Sequence, residues 1–270
     1  MAGMALSFNN YHPIHDEIDE TSDTHSGEID VFMTNIYGLY GLTDALNLSV
    51  RIPYKYWQQF NVEHEDTHHR NEIQSGLGDL TLGLRGIILN ESFGPGQRLF
   101  IDVAISLPTG KDYLINPFGE ATDSVNHTHF ALGTGQFSAS LGVEWWKRSE
   151  FPFILGLSAK FKNQLTESKI GFKPGIVAKL SLHAIKQSPL MNSVFPYLKI
   201  DFRREWPDKW VGLTAPNSGA IFIDLSGQLI YEMTESHSMV FSLGYPLIKV
   251  LEGSQLSGVN YALSYRFKSF

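Results

Sequence analysis

Eight of the ten histidines fall in three stretches that are also rich in acid. His12, His15 and His25 lie among Asp16, Glu17, Asp19, Glu20 and Asp23. His64, His68 and His69 lie among Glu63, Glu65 and Asp66, and His127 and His129 follow Asp123. Neutral imidazole together with carboxylate is a donor set for zinc, copper or nickel. His64, His68, His69, His127 and His129 are therefore candidate ligands for a captured divalent metal. The plainer alternative is a solvated acidic surface that meets lipopolysaccharide through bridging cations.

A second group of charged residues takes the polar side of a two-residue alternation: Arg51, Lys55, Asp79, Arg85, Arg98, Asp102, Glu144, Lys160, Lys179, Lys199, Asp201, Arg203, Asp224 and Arg266. If the apolar side of that alternation meets lipid, these residues line an interior. Turned toward hydrocarbon, an Arg or Lys would cost roughly 2–4 kcal/mol at the bilayer midplane. Basic residues outnumber acidic ones, and Lys160, Lys179, Lys199 and Arg203 fall on consecutive segments. A wall of this sign favours anions. The mixed signs also allow ion pairs that merely satisfy a packed interior.

Such a wall needs strands, and the alternation supplies them. Leu46, Leu48, Val50, Ile52 and Tyr54 oppose Asn47, Ser49, Arg51 and Lys55. Leu99, Ile101, Val103, Ile105 and Leu107 oppose Arg98, Asp102 and Ser106. The last strand has Val259, Tyr261, Leu263, Tyr265 and Phe267 on one face and Asn260, Ser264 and Arg266 on the other. A period of two marks strands with one apolar face. Twelve strands are expected, at 3–11, 30–40, 45–58, 76–89, 98–108, 134–147, 152–163, 172–185, 194–206, 219–232, 237–247 and 257–268. Their connectors alternate between short and long, as in an all-β transmembrane antiparallel β-barrel with short periplasmic turns and longer extracellular loops. One domain spans residues 1–270, with 1–29 supplying the first strand and an acidic, histidine-containing loop.

Composition agrees. Hydrophobic residues make up 43% of the chain and mean hydropathy is −0.11, with no apolar run long enough for a membrane helix. A barrel hides its apolar surface in alternation. With no cysteine, disulfides and thiolate metal sites are excluded. A net charge of −7 argues against general nucleic-acid binding. Residues 1–8 lack the basic start and apolar core of a signal peptide.

Three segments resemble an outer-membrane channel family labelled "meta-pathway of phenol degradation". They are Gly76 to Arg85, opening Gly-Leu-Gly-Asp; Ile105-Ser106-Leu107-Pro108-Thr109-Gly110-Lys111; and Leu132-Gly133-Thr134-Gly135 running on to Gly142. The resemblance covers most of the chain from about Asp30. It implies a monomeric barrel of about twelve strands in the bacterial outer membrane that passes small, often hydrophobic or aromatic solutes passively, with lipid and lipopolysaccharide as surroundings and no cofactor. An enzyme is not expected. Ser181 and His183 share a face, and Asp66–His68 and Asp123–His127 could imitate the pairs of barrel lipases or proteases, but no matching signature accompanies them.

Overall fold

The alternating segments pair antiparallel, each with the next, until the last meets the first. The computed structural model describes residues 1–15, 25–62, 72–91, 94–111, 114–115, 126–127, 131–169, 171–215, 218–251 and 255–268. The barrel wall comprises β1 (Ala2–His15), β2 (His25–Gly41), β3 (Leu46–Val62), β4 in two pieces (Glu72–Leu77 and Leu80–Asn90), β5 (Gly96–Leu107) and β6 (Ser138–Arg148). It continues through β7 (Phe153–Gln164), β8 (Val177–Lys186), β9 (Val194–Glu205), β10 (Ala220–Glu232), β11 (His237–Leu251) and β12 (Gln255–Phe267). Gly3 of β1 stands opposite Tyr37 of β2 on one side and Arg266 of β12 on the other, which closes a twelve-stranded barrel.

Hydroxyl side chains shape two of the short turns. Thr43 Oγ1 accepts the Ala45 and Leu46 amides at 3.2 and 3.0 Å between β2 and β3. Thr234 Oγ1 does the same for Ser236 and His237, at 3.2 and 3.1 Å, between β10 and β11. A local acceptor of this kind turns the chain without help from elsewhere.

The long connections carry small pairings of their own, such as Phe172–Lys173 with Lys209–Trp210. That pairing corrects one expected boundary. The strand expected from residue 172 joins the wall only at Val177, because Phe172–Lys173 turns aside and Pro174 has no N–H to give to a ladder. The strand expected at 76–89 is likewise interrupted at Gly78 and Asp79.

Burial runs opposite to that of a water-soluble protein. On β5, Ile101, Val103 and Ile105 are exposed while Asp102, Ala104 and Ser106 turn inward. The pattern recurs in Leu155 and Leu157 of β7, and in Phe241, Leu243, Tyr245 and Leu247 of β11. Meanwhile Asp201 is only 4% exposed. So continuous an apolar exterior is a lipid-facing surface. Tyr231, Tyr245, Tyr261, Tyr265 and Phe267 lie on it, as aromatic rings at a headgroup boundary do. Tyr54 and Trp145 share the outward register; the side chain of Tyr56 lies outside the described residues.

The orientation of these faces can be checked by substitution. Val103→Arg should lower the folding free energy into phospholipid vesicles by about 2–4 kcal/mol, the cost of a guanidinium near the midplane. Ala104→Ser, one residue along on the inner face, should change it by less than about 0.5 kcal/mol. Equal losses in urea titrations of the two variants would reverse the assignment of faces.

Candidate functional site: the charged lumen

Register decides which charges meet inside the barrel. Arg85 of β4 stands directly opposite Asp102 of β5, and Glu144 of β6 opposes Phe100 one step away. Arg85 therefore spans both acids, with Nη1 3.3 Å from Asp102 Oδ2 and Nη2 2.9 Å from Glu144 Oε1. Its guanidinium lies 4.2 Å above the Phe100 ring. The Trp146 indole N–H also donates to Glu144. Gly156 on β7 permits that arrangement, since a Cβ there would come within 2.6 Å of the Trp146 ring. The large ring can thus lie flat on the wall instead of filling the pore.

Across the lumen, Asp201 of β9 receives Lys199 at 2.8 Å, Lys179 of β8 at 2.9 Å and the Ser181 hydroxyl at 2.6 Å. One carboxylate between two ammonium groups leaves a net positive charge. Arg203 continues the column, with Nε 3.3 Å from Glu205 and its guanidinium 4.1 Å over Phe222. Asp224 stands opposite Asp201 in the register, beside a bulge at Leu247 of β11. Arg51 and Lys160 form no ion pair among the described residues. They line a cavity of about 410 Å³ together with Tyr37, Ser49, Thr81, Asp102 and Ser158. Arg266 faces Gly3 and Ser238, and Arg98 lies toward the short turns.

Several lumen side chains carry no sequence signal beyond their parity. His183 receives or gives hydrogen bonds at both ring nitrogens, to Ser158 at 2.9 Å and to Tyr197 at 2.6 Å. Ser181, which shares its face, is bound to Asp201 instead. Trp146 and Tyr197, both stacked or tilted against His183, enter the wall the same way.

Asp79 and Lys55 also bind loop groups. Asp79 accepts the Gly110 amide at 3.1 Å, the Thr134 amide at 2.7 Å and the Thr134 hydroxyl at 2.8 Å. Thr109 bridges the break in β4, donating to Gly78 O at 2.9 Å and accepting the Leu80 amide at 2.8 Å. A Cβ on Gly133 would lie 2.3 Å from Asp79 Oδ1 and 2.8 Å from the Gly110 Cα, so the backbones meet only because both residues are glycine. Lys55 Nζ donates to Ala131 O at 3.0 Å. The three segments that carry the family resemblance therefore form one junction at the long-loop end. Near it, Gln136 is fully buried and donates to Phe172 O. In the loop after β9, Asp208 accepts the Gly175 amide at 2.7 Å; burial raises its carboxyl above the usual range, and that hydrogen bond opposes the rise.

The side chains of His64, His68, His69, His127 and His129, the candidate metal ligands, lie outside the described residues. The run His64-Glu65-Asp66-Thr67-His68 has the His-Glu-x-x-His spacing, which binds zinc when both histidines share a helix face. In the sequence this run lacks the apolar periodicity that would place it on a helix.

A closed antiparallel barrel with an apolar exterior and a charged, cavity-bearing interior defines a transmembrane β-barrel of the bacterial outer membrane. The chain belongs to the family described as "Putative MetA-pathway of phenol degradation", whose model matches residues 16–171. Among solved structures it is similar to an outer membrane channel from Pseudomonas putida F1, with 15% identity, 98% of this chain and 94% of that chain covered, and a TM-score of 0.67. It is also similar to the NanC porin, with 9% identity, 98% and 100% covered, and a TM-score of 0.55. The β domain of the Bordetella autotransporter BrkA aligns over 100% of both chains at 10% identity and a TM-score of 0.52. No curated protein matches the chain.

The junction is testable apart from transport. Asp79→Ala strands two backbone amides and a hydroxyl, and each buried orphan costs about 1–3 kcal/mol. Its melting temperature should fall well below that of Asp79→Asn, which keeps one acceptor oxygen. A melting curve for Asp79→Ala that overlays the parent's would remove the junction as a stabilising element.

Proposed function

We propose that the barrel is a passive, energy-independent channel for small solutes that works as a monomer and favours anions, including small aromatic or apolar acids. The supporting observation is the imbalance of the wall. Asp201 is shared by Lys179 and Lys199, Asp102 and Glu144 are engaged by Arg85, and Arg51 and Lys160 form no ion pair among the described residues beside an open cavity. Fixed positive charge in a narrow lumen attracts anions and repels cations. The Pseudomonas putida F1 and NanC proteins are described as a channel and a porin, and the family description refers to phenol degradation; both agree with solute uptake.

The Ser158–His183–Tyr197 chain is read as wall polarity. A nucleophile–base pair needs its base oriented to accept a proton and the resulting cation stabilised. Here the orienting partner is a phenol, and Lys199 stands opposite His183 in the register. Lipopolysaccharide is proposed as the outer-leaflet contact.

Planar-bilayer recordings under a salt gradient test the reading. The parent should conduct with an anion-selective reversal potential. Arg51→Glu with Lys160→Glu should leave the barrel folded and roughly halve the anion-over-cation permeability ratio or lower it further. An unchanged reversal potential would refute the basic wall, and a parent with no conductance would refute the channel.

A further inference from the structure

At the short-turn end the inner wall encloses a second cavity, of about 310 Å³, which the lysine column does not reach. Gly96 pairs with Arg148 and Arg98 with Trp146, so Arg98 and Arg148 are diagonal neighbours on one inward face. Beneath them lie Phe100, Trp146, Ile154 and Ile185. The floor is rigid. Trp146 is held by its hydrogen bond to Glu144, by the His183 ring at 5.1 Å and by the flat space above Gly156.

The charges of this cavity do not cancel locally. Glu144 is engaged by Arg85 and Trp146. Glu91 is bound into its turn, its Oε2 accepting the Gln97 amide at 2.6 Å. Arg148 uses Nε on Gln187 Oε1 at 3.0 Å, which fixes the plane of its guanidinium and leaves the terminal N–H groups without a partner among the described residues. Arg98 forms no hydrogen bond or ion pair among the described residues. Two arginine forks thus stand unpaired over an apolar, aromatic floor.

We propose that this vestibule is a binding subsite for a small organic monocarboxylate with an aromatic or compact apolar body. The carboxylate sits between Arg98 and Arg148, whose planar forks match its two oxygens. The body rests on Phe100 and Trp146. A cavity of this size lies at the small end of the roughly 300–1,000 Å³ typical of ligand sites, which limits the body to about one ring. An inorganic anion gains nothing from the floor, and a neutral hydrocarbon leaves both guanidinium groups unsatisfied. The subsite rests on the channel reading, since it would hold the solute at the periplasmic end of the same lumen.

Calorimetry on the purified, detergent-solubilised barrel tests it, with benzoate as the probe and benzyl alcohol and acetate as controls. Benzoate should bind at least about tenfold more tightly than either control, the worth of one charge-assisted hydrogen bond in one comparison and of the ring's burial in the other. In the Arg98→Gln, Arg148→Gln variant, shown to be folded by its heat-modifiable gel mobility, benzoate should fall to the level of benzyl alcohol. Trp146→Leu should bring benzoate toward acetate. Parent affinities that do not differ, or benzoate binding that survives loss of both arginines, would overturn the subsite. Bilayer current through the parent separates the two readings: a barrel that conducts without preferring benzoate disproves only the vestibule.

Discussion

Pairing of β1 with both β2 and β12 lets the wall satisfy its backbone hydrogen bonds from strand to strand, as hydrocarbon demands. Closure also fixes the side chains. In a closed sheet each residue faces lipid or lumen, and a slip of one residue would exchange the two sets. The cost of a charge toward lipid enforces the choice. Asp102 between Ile101 and Val103, and Lys179 between Ala178 and Leu180, have only one tolerable direction.

Having forced the charges inward, the barrel must keep them from collapsing into a plug. Two devices do so. Ion pairs form along the wall between adjacent strands, as in Arg85–Asp102 and Lys179–Asp201, whose partners are in direct or diagonal register. Large rings lie flat over glycine, as Trp146 does over Gly156 and Tyr37 over Gly3. Each device spends side-chain length parallel to the wall, which leaves space at the centre. On the proposed reading, the same devices would also bear on selectivity: with Asp102, Glu144 and Asp201 engaged, Arg51 and Lys160 would face the solute.

The architecture was legible because parity is a local property. The apolar faces of β5, β10, β11 and β12 can be read directly from alternate residues, as can the inward direction of Arg85, Lys199 and Arg266. What was not legible depends on distance in sequence. Thr109 and Gly110 lie about thirty residues from Asp79, and Thr134 lies further still, so nothing in the spacing announces that one carboxylate joins them. Parity alone made Asp79 a lumen charge, whereas its acceptors serve the junction. The break in β4 follows from that junction, and so does the need for glycine at 110 and 133. Trp145 and Trp146 illustrate the same limit. Alternation separates their faces, but only register shows that Trp146 meets Glu144 and His183 while Trp145 bonds Gln97 outside. The late start of the strand expected from 172 has a local cause in Pro174, which alternation over the following residues masked.

The two ends of the lumen are therefore built for different tasks. At the long-loop end, the Asp79 junction and the buried Gln136 hold backbone segments together by hydrogen bonds. At the short-turn end, arginines stand over aromatic rings in an open cavity. Between them runs the column of Arg51, Lys160, Lys179, Lys199 and Arg203. On the proposed anion-channel reading, a solute carrying one negative charge would meet this basic column and then, near the short-turn end, the arginines of the vestibule with their aromatic floor. Passage requires that no one of these sites bind strongly enough to hold it. Sharing Asp201 between two lysines tempers the column's potential where it would otherwise be greatest. On the proposed anion-channel reading, the Asp201 carboxylate would set how readily anions leave, and its surrounding lysines how readily they enter.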